Sequence, residues 1–324
     1  MTTVRLRPAT PEDLPAVCQV INRAQWADGI MQVRTVEELT EDLEADDVDL
    51  AADMHVAVVD GESADDGAIA GFVHTLLLPS EVLHVRCYVF GDVEPAWRGQ
   101  GIGTALMTWG IARARQQLDA CATTLPTRLR AQTGEDAVRT RRMFERLGMR
   151  AVRYHEELLR PLTDLPPLTT PRGVRIVAWP DDRDDEVLAE KNLSWVDHWG
   201  STPTSPAGWQ AMVRGFGARP EWSFIAVDAD TDEVVGHCLC KRFEQDDSLT
   251  GRRDGYIDSL GTLQRYRGRG VGAALIVHAF HALAEAGMTH AALNVDSENP
   301  TGAARLYRSL GFVHERGEFT YELA

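Results

Sequence analysis

Two decapeptides hold the residues best arranged for chemistry: WRGQGIGTAL at 97–106 and YRGRGVGAAL at 266–275. In the second, Arg267, Gly268, Arg269, Gly270 and Gly272 lead from a strand-like stretch, GYIDSLGTL, into a helix-forming one. In the first, Arg98, Gly99, Gly101 and Gly103 stand in the same places. Backbone N–H groups at a helix N-terminus have no intrahelical partners and carry partial positive charge. Glycine lets that backbone curl and approach a ligand closely. The pattern therefore makes an anion cradle suited to a pyrophosphate, to which the arginines would add charge-assisted hydrogen bonds. It is not the nucleotide P-loop, because no Lys-Ser/Thr follows the last glycine. It is a poor dinucleotide fingerprint, since its third glycine is misplaced and it falls late in its half of the chain. A tight turn with no ligand is the plainer alternative. Recurrence at a strand–helix junction in both halves weighs against it.

Both copies resemble the acetyl-CoA pyrophosphate loop of the GNAT acetyltransferase superfamily, (Gln/Arg)-x-x-Gly-x-(Gly/Ala). The downstream LNVDSENPTGAARLYRSLGF, 293–312, resembles that family's closing segment. The resemblance covers essentially the whole chain as two units in tandem, a layout similar to that of mycothiol synthases, which acetylate a cysteinyl pseudo-disaccharide. It implies acetyl-CoA as cofactor, Leu260 and Thr262 as further cofactor contacts, and two positions after the fifth strand. There an Asn-Pro turn, with Asn299, opens a short helix on which Tyr307 faces the cofactor sulfur. A phenol O–H that donates to the departing thiolate stabilises it. Asn299 offers an amide to the cofactor's polar arm. Counting back from Leu-Gly in the first half puts Phe144 in the tyrosine slot and Asp136 in the asparagine slot. Phe144 has no proton to give, so the second unit is expected to be catalytic and the first degenerate.

The amine must lose a proton before it attacks. The family commonly uses a Glu on the fourth strand; eleven residues before Arg267 this sequence has Tyr256. Side chains two apart share a strand face, so Asp254 and Asp258 flank Tyr256 there. Asp258, deeper in the strand, is the candidate base; a carboxylate merely bonded to a neighbouring strand is the equal alternative. The segment SWVDHWGSTPTSPAGW, 194–209, falls where the resemblance places the wall of the acceptor pocket. Trp195, Asp197, His198 and Trp199, with Tyr256, are the candidate acceptor contacts.

The elements that must position these groups follow from the repeat. The two motifs lie 270 − 101 = 169 residues apart, and MHVAVVDG (54–61) matches WSFIAVDA (222–229) while RMFERLGM (142–149) matches RLYRSLGF (305–312). Each half reads strand, helix, helix, three strands, helix, strand, helix, strand. In the second half the strands are expected near 173–178, 222–228, 234–242, 255–262, 290–295 and 313–322. A helix should run from about Val271 to Ala286 and stop at Gly287, with Val271, Leu275, His278, Ala279 and Ala282 toward the sheet. The proline-rich PLTDLPPLTTP, 161–171, reads as a linker between domains 1–160 and 172–324. The fold class expected is α+β, as αβα layers around a twisted mixed sheet in each unit.

Composition sets the outer bounds. With 324 residues there is room for two domains, and a net charge of −16 argues against sequence-independent nucleic-acid binding. Five scattered cysteines, Cys18, Cys87, Cys121, Cys238 and Cys240, read as reduced core thiols and not as a metal or redox site. No signal-peptide pattern or bilayer-length apolar run stands out, so a cytoplasmic enzyme is expected, with no metal and no membrane or nucleic-acid partner. The reading is an acetyl-CoA-dependent N-acetyltransferase acting on a primary amine of a small molecule. Transfer is expected to be direct, within a ternary complex, because no residue stands out as an acyl carrier. The alternatives are a non-catalytic acyl-CoA sensor and an enzyme acting on an amino-sugar thiol.

Overall fold

The computed structural model describes residues 3–45, 48–60, 67–78, 83–180, 182–299 and 301–323. The first half runs β1 (Thr3–Pro8), α1 (Leu14–Ala27), α2 (Val36–Ala45), the single turn α3 (Leu50–Asp53), β2 (Met54–Asp60), β3 (Ile69–Leu78) and β4 (Val85–Val93). It continues with α4 (Ile102–Ala120), β5 (Thr127–Gly134), α5 (Val138–Arg146) and β6 (Met149–Pro161). The second half repeats the order: β7 (Val174–Ala178), α6 (Asp184–Ser194), α7 (Pro206–Arg214), β8 (Phe224–Asp228) and β9 (Val234–Arg242). After the short α8 (Asp247–Thr250) come β10 (Asp254–Thr262), α9 (Val271–Glu285), β11 (His290–Asp296), α10 (Ala303–Ser309) and β12 (Val313–Leu323).

Local rules account for these spans. In β10, successive residues alternate between half-buried and buried, the two-residue period of a strand between unlike layers. Helix α7 opens at Ser205-Pro206, where the serine hydroxyl accepts the Gly208 N–H at 3.1 Å and proline fits the first helical position. Helix α9 buries Val271, Leu275, Ala279 and Leu283, but also Ile276, Val277 and Phe280. His278 and Ala282, expected on the sheet face, are only half-buried. The buried stripe is therefore wider than a single sheet-facing face.

The chain divides into two compact units, Met1–Tyr154 with Glu318–Ala324, and His155–Gly317. The first unit's sheet has the order β1-β2-β3-β4-β5, closed by the end of β12, where Glu318–Leu323 runs antiparallel to β5. The second unit's sheet has the order β7-β8-β9-β10-β11, closed by the end of β6, where His155–Pro161 runs antiparallel to β11. Each half of the chain thus supplies the closing strand of the other's sheet. The division at 161–171 expected from the repeat does not follow the units, because pairing partners, not sequence order, define them. The proline-rich stretch is docked within the second unit: Leu162 is buried, its N–H donates to Thr289 O, and His281 Nε2 bonds Pro166 O at 2.9 Å.

Helices cover both sheet faces, giving the αβα layers. In the second unit one core gathers around α9 and another, with Trp179, Trp209 and Ile225, lies under α6 and α7. The first unit repeats this with cores under α4 and under α1–α2. Tyr321 of the exchanged strand is 1% exposed and meets Phe144 edge-on at 5.3 Å. Tyr321→Ala should therefore destabilise the first unit by about 3 kcal/mol, the usual size for truncating a buried aromatic. Hydrogen exchange reads this directly. Protection should fall at the β5 amides and hold at β11, and equal loss at both would contradict the exchange.

Candidate active site

Strands β10 and β11 pair in parallel only from Asp254–Ile257 with His290–Leu293, then diverge. The splay opens a cavity of about 360 Å³ whose walls include Leu260, Thr262, Leu293, Asn299 and Tyr307, with the Arg267–Gly272 turn at its rim. Gly268 and Gly270 have φ of +74° and +84°, a left-handed backbone that L side chains rarely adopt. Gly270 is the N-cap of α9, and an added Cβ at either glycine would point into open space. At Gly272 a Cβ would stand 3.5 Å from Leu306 Cδ2, so that position closes against α10. The first helical N–H groups of α9 thus face an open, cavity-side turn, which is what an anion needs.

The motif arginine is occupied elsewhere. Arg267 donates through Nε to Thr262 O at 3.2 Å, through Nη1 to Asp197 Oδ2 at 2.8 Å and through Nη2 to Ser194 O at 2.7 Å. It ties the C-terminal end of α6, where carbonyls carry partial negative charge, to the glycine turn. In this structure it holds that junction while also forming part of the cavity wall. Arg269 is exposed and lies over the Tyr266 ring at 4.9 Å, with the Tyr266 hydroxyl donating to Asp228 at 2.6 Å.

Tyr307, on α10, is 7% exposed and forms part of the cavity wall. Burial, with a smaller contribution from the nearby Cys238, pushes its phenol up, so it keeps its proton across the neutral range. Asn299 accepts the Thr301 N–H at 2.9 Å and hydroxyl at 2.6 Å on Oδ1, which shapes the turn into α10. Its Nδ2 amide is the part suited to a ligand.

Asp258 sits where β10 departs from regular pairing. Opposite β9, Ile257 pairs with Cys240 and Ser259 with Leu239, so Asp258 is an extra, bulged residue. The bulge puts Asp258 on the cavity wall, its Oδ2 at 3.3 Å from Lys241 Nζ. Trp195 and His198, stacked at 4.5 Å, form part of the same wall. Asp197 is spent on Arg267, and Trp199 and Tyr256 lie off the wall, Tyr256 edge-on to Phe243 at 6.2 Å. Asp254 is held by Arg252 Nε at 3.2 Å near the start of the strand.

The Acetyltransferase (GNAT) family model matches residues 23–149 and again 185–312. The chain belongs to the GNAT acetyltransferase family. It is 27% identical over 320 residues to the mycothiol acetyltransferase of Mycobacterium sp. (strain JLS), covering 96% of this chain and 95% of that one. It is 31% identical over 228 residues to the mycothiol acetyltransferase of Mycolicibacterium gilvum (strain PYR-GCK), covering 68% of each. Among solved structures it is similar to a GCN5-related N-acetyltransferase from Sphaerobacter thermophilus, with TM-score 0.75, 26% identity, and 98% and 95% of the two chains covered. The protein is an acetyl-CoA-dependent acyltransferase built from GNAT units in tandem.

The two GNAT units differ at the cavity. The first keeps the cradle: Gly99 and Gly101 have φ of +80° and +86°, and Gly103 lies in the first turn of α4. Its arginine repeats the clamp, with Arg98 donating to Val93 O at 3.1 Å, Asp28 Oδ1 at 2.6 Å and Ala24 O at 3.1 Å. In the tyrosine slot Phe144 is buried in the core against Tyr321. Strand β4 pairs with β3 in unbroken register from Gly71↔Val93 to Leu78↔Arg86, so the bulge belongs to the second GNAT unit. A trace of it was present in the sequence: Tyr88 precedes Arg98 by 98 − 88 = 10 residues and Tyr256 precedes Arg267 by 267 − 256 = 11. Lys241, the partner of Asp258, had no signal, because only strand register brings it there.

Among the described residues no group of three or more His, Cys, Asp or Glu could hold a metal ion, and no helix is long and apolar enough to cross a membrane. The cysteines are free; Cys238 and Cys240 are buried in the α9-side core, where the thiol of Cys240 is pushed up by Cys238 and by burial.

Proposed function

We propose that the second GNAT unit transfers the acetyl group of acetyl-CoA directly to a primary amine of a small molecule, and that the first unit serves the protein without catalysing. One observation carries this reading. A buried, protonated Tyr307 phenol forms part of the wall of a cavity rimmed by a left-handed glycine turn, and the first unit has Phe144 in its place. The residues fit the cofactor: open, positive-φ positions at Gly268 and Gly270 leave room at the N-terminus of α9 for a pyrophosphate, and the splay leaves room for its thioester arm. When bound, acetyl-CoA supplies an activated acetyl thioester and a thiolate leaving group.

The chain's own groups do the rest. The α9 N–H groups hold the anion, and Asn299 contacts the polar arm with its amide. Asp258, on the cavity wall, accepts a proton from the incoming ammonium, directly or through water, with Lys241 orienting its carboxylate. Tyr307 gives its proton to the leaving sulfur. Trp195 and His198 form the apolar and polar sides of the acceptor space. Reading the acceptor as the amine of a cysteinyl pseudo-disaccharide is supported by the mycothiol acetyltransferases that match nearly the full chain.

Thiol release from acetyl-CoA over a panel of amines tests the proposal. The panel holds cysteinyl amino-sugars, aminoglycosides, polyamines and peptide N-termini. Turnover with at least one member is expected. Tight acetyl-CoA binding with no thiol release from any of them would instead favour a sensor.

A further inference from the structure

A chain of buried polar side chains runs beside the cavity without forming part of its described wall. On β9, His237 is 0% exposed; its Nδ1 lies 2.5 Å from Glu190 Oε2 on α6 and its Nε2 lies 2.8 Å from Ser259 Oγ on β10. Glu190 and Ser259 are themselves 3% and 2% exposed, and Glu190 Oε1 is buried without a hydrogen-bond partner. Such a network costs folding free energy unless every member is satisfied. Here one oxygen is not.

The first unit shows that the architecture does not require it. By strand register, Phe72 opposite Asp92 stands where His237 stands opposite Gly261, and Phe90 opposite His74 stands where Ser259 stands opposite Leu239. The turn of α1 that matches Glu190 carries Val20 and Ile21, both buried. The layer that is aromatic and aliphatic in one unit is an acid, an imidazole and a hydroxyl in the other.

The same two units differ at the bulge, and the bulge makes the network geometrically possible. In a regular strand Ser259 would share a face with Ile257, which packs in the α9-side core. The extra residue turns Ser259 over to meet His237, and puts Asp258 at the cavity wall. Loss of the bulge would shift one stretch of β10 by a residue and turn its side chains to the opposite faces. Ser259 would leave His237, and Glu190 would be tied to a ring with no onward partner. The network therefore penalises the regular register and favours the bulged one.

We propose that Glu190, His237 and Ser259 form a positioning relay that holds the β10 bulge and so fixes Asp258 toward the acceptor amine, a role resting on the reading of this cavity as the transfer site. Glu190 holds the Nδ1 proton, which orients the ring with Nε2 toward Ser259. None of the three touches substrate; they act through Asp258.

The test uses the full chain and the amine that gives the fastest thiol release. Ser259→Ala should lower kcat per folded molecule about tenfold or more while the acetyl-CoA Kd moves less than about twofold, the pattern of a misplaced catalytic group. In an Asp258→Asn background the same change should add less than about twofold, because the residue it acts through is already disabled. Glu190→Val/His237→Phe copies the first unit at two of the three positions and guards against misfolding: its melting temperature should match or exceed the wild type while kcat falls as for Ser259→Ala. Full additivity with Asp258→Asn, or Ser259→Ala within about twofold of wild-type kcat, overturns the relay. A crystal structure of Glu190→Val/His237→Phe separates this question from the function. A bulge unmoved there overturns the relay even if the wild type transfers acetyl groups, and a lost bulge supports it even if no amine in the panel is a substrate.

Discussion

Tyr307→Phe should slow acetyl transfer by roughly 10²- to 10⁴-fold, the usual size of a general-acid contribution. The substitution makes the second unit imitate the first, where Phe144 already fills the slot. It removes one hydroxyl and keeps the ring, which meets Phe312 edge-on at 5.9 Å, so packing changes little. Burial holds the phenol in its protonated form, and a group that gives its proton only as the sulfur departs acts mainly in the transition state. The loss should therefore appear in kcat, with the acetyl-CoA KM nearly unmoved. Phe144→Leu is the matched comparison: it should cost the first unit stability and leave the rate per folded molecule almost unchanged. Steady-state kinetics with a melting curve for each variant separates the two effects. A Tyr307→Phe enzyme within about threefold of wild type would make Tyr307 a packing residue and remove the main reason for placing catalysis in the second unit.

Gly270→Val should weaken acetyl-CoA binding to the second unit by roughly 100-fold, about the loss of one or two hydrogen bonds to a charged group. The cause is conformational. At φ of +84° a β-branched residue is strained, and relieving the strain rotates the first N–H groups of α9 away from the anion. The side chain would also project into the space a pyrophosphate needs, since nothing in the protein lies within 4 Å of an added Cβ there. The same openness means the fold should survive. Gly101→Val imposes the same strain on the first unit, at φ of +86°, where no acid awaits the cofactor sulfur. It should leave turnover largely intact, and any stability lost would report cofactor bound there, because a ligand of the native state stabilises by mass action. Calorimetry measures the first effect and steady-state rates the second. Rates that fall equally in both variants would mean the active half has been misidentified.

Much of this was legible in the residues because it rests on local rules. Two glycine motifs 270 − 101 = 169 residues apart announced a repeated unit, and alternating glycines before an apolar helical stretch announced a curled turn at a helix N-terminus. The helix expected over 271–286 is found at Val271–Glu285, and the strand expected at 234–242 is Val234–Arg242, since periodicity and a C-terminal glycine act within a few residues. The replacement of Tyr307 by Phe144 between the halves was likewise a matter of counting.

What the tertiary structure decided depends on pairing across long separations. Exchange of β6 and β12 joins Tyr321 to Phe144 and places residues 155–161 beside β11, and no local preference distinguishes that from each strand staying in its own half. The bulge at Asp258 adds one residue against β9, and it reverses which face Ser259 occupies. The type and spacing of Arg267 do not announce its hold on a helix end; only the folded positions of Asp197 and Ser194 bring that contact about. The contact of Glu190 with His237 spans 47 residues and that of His237 with Ser259 spans 22. Alternation within one strand fixes which residues share a face, but the register between strands fixes which of them meet, and that register is set by the packed core as a whole.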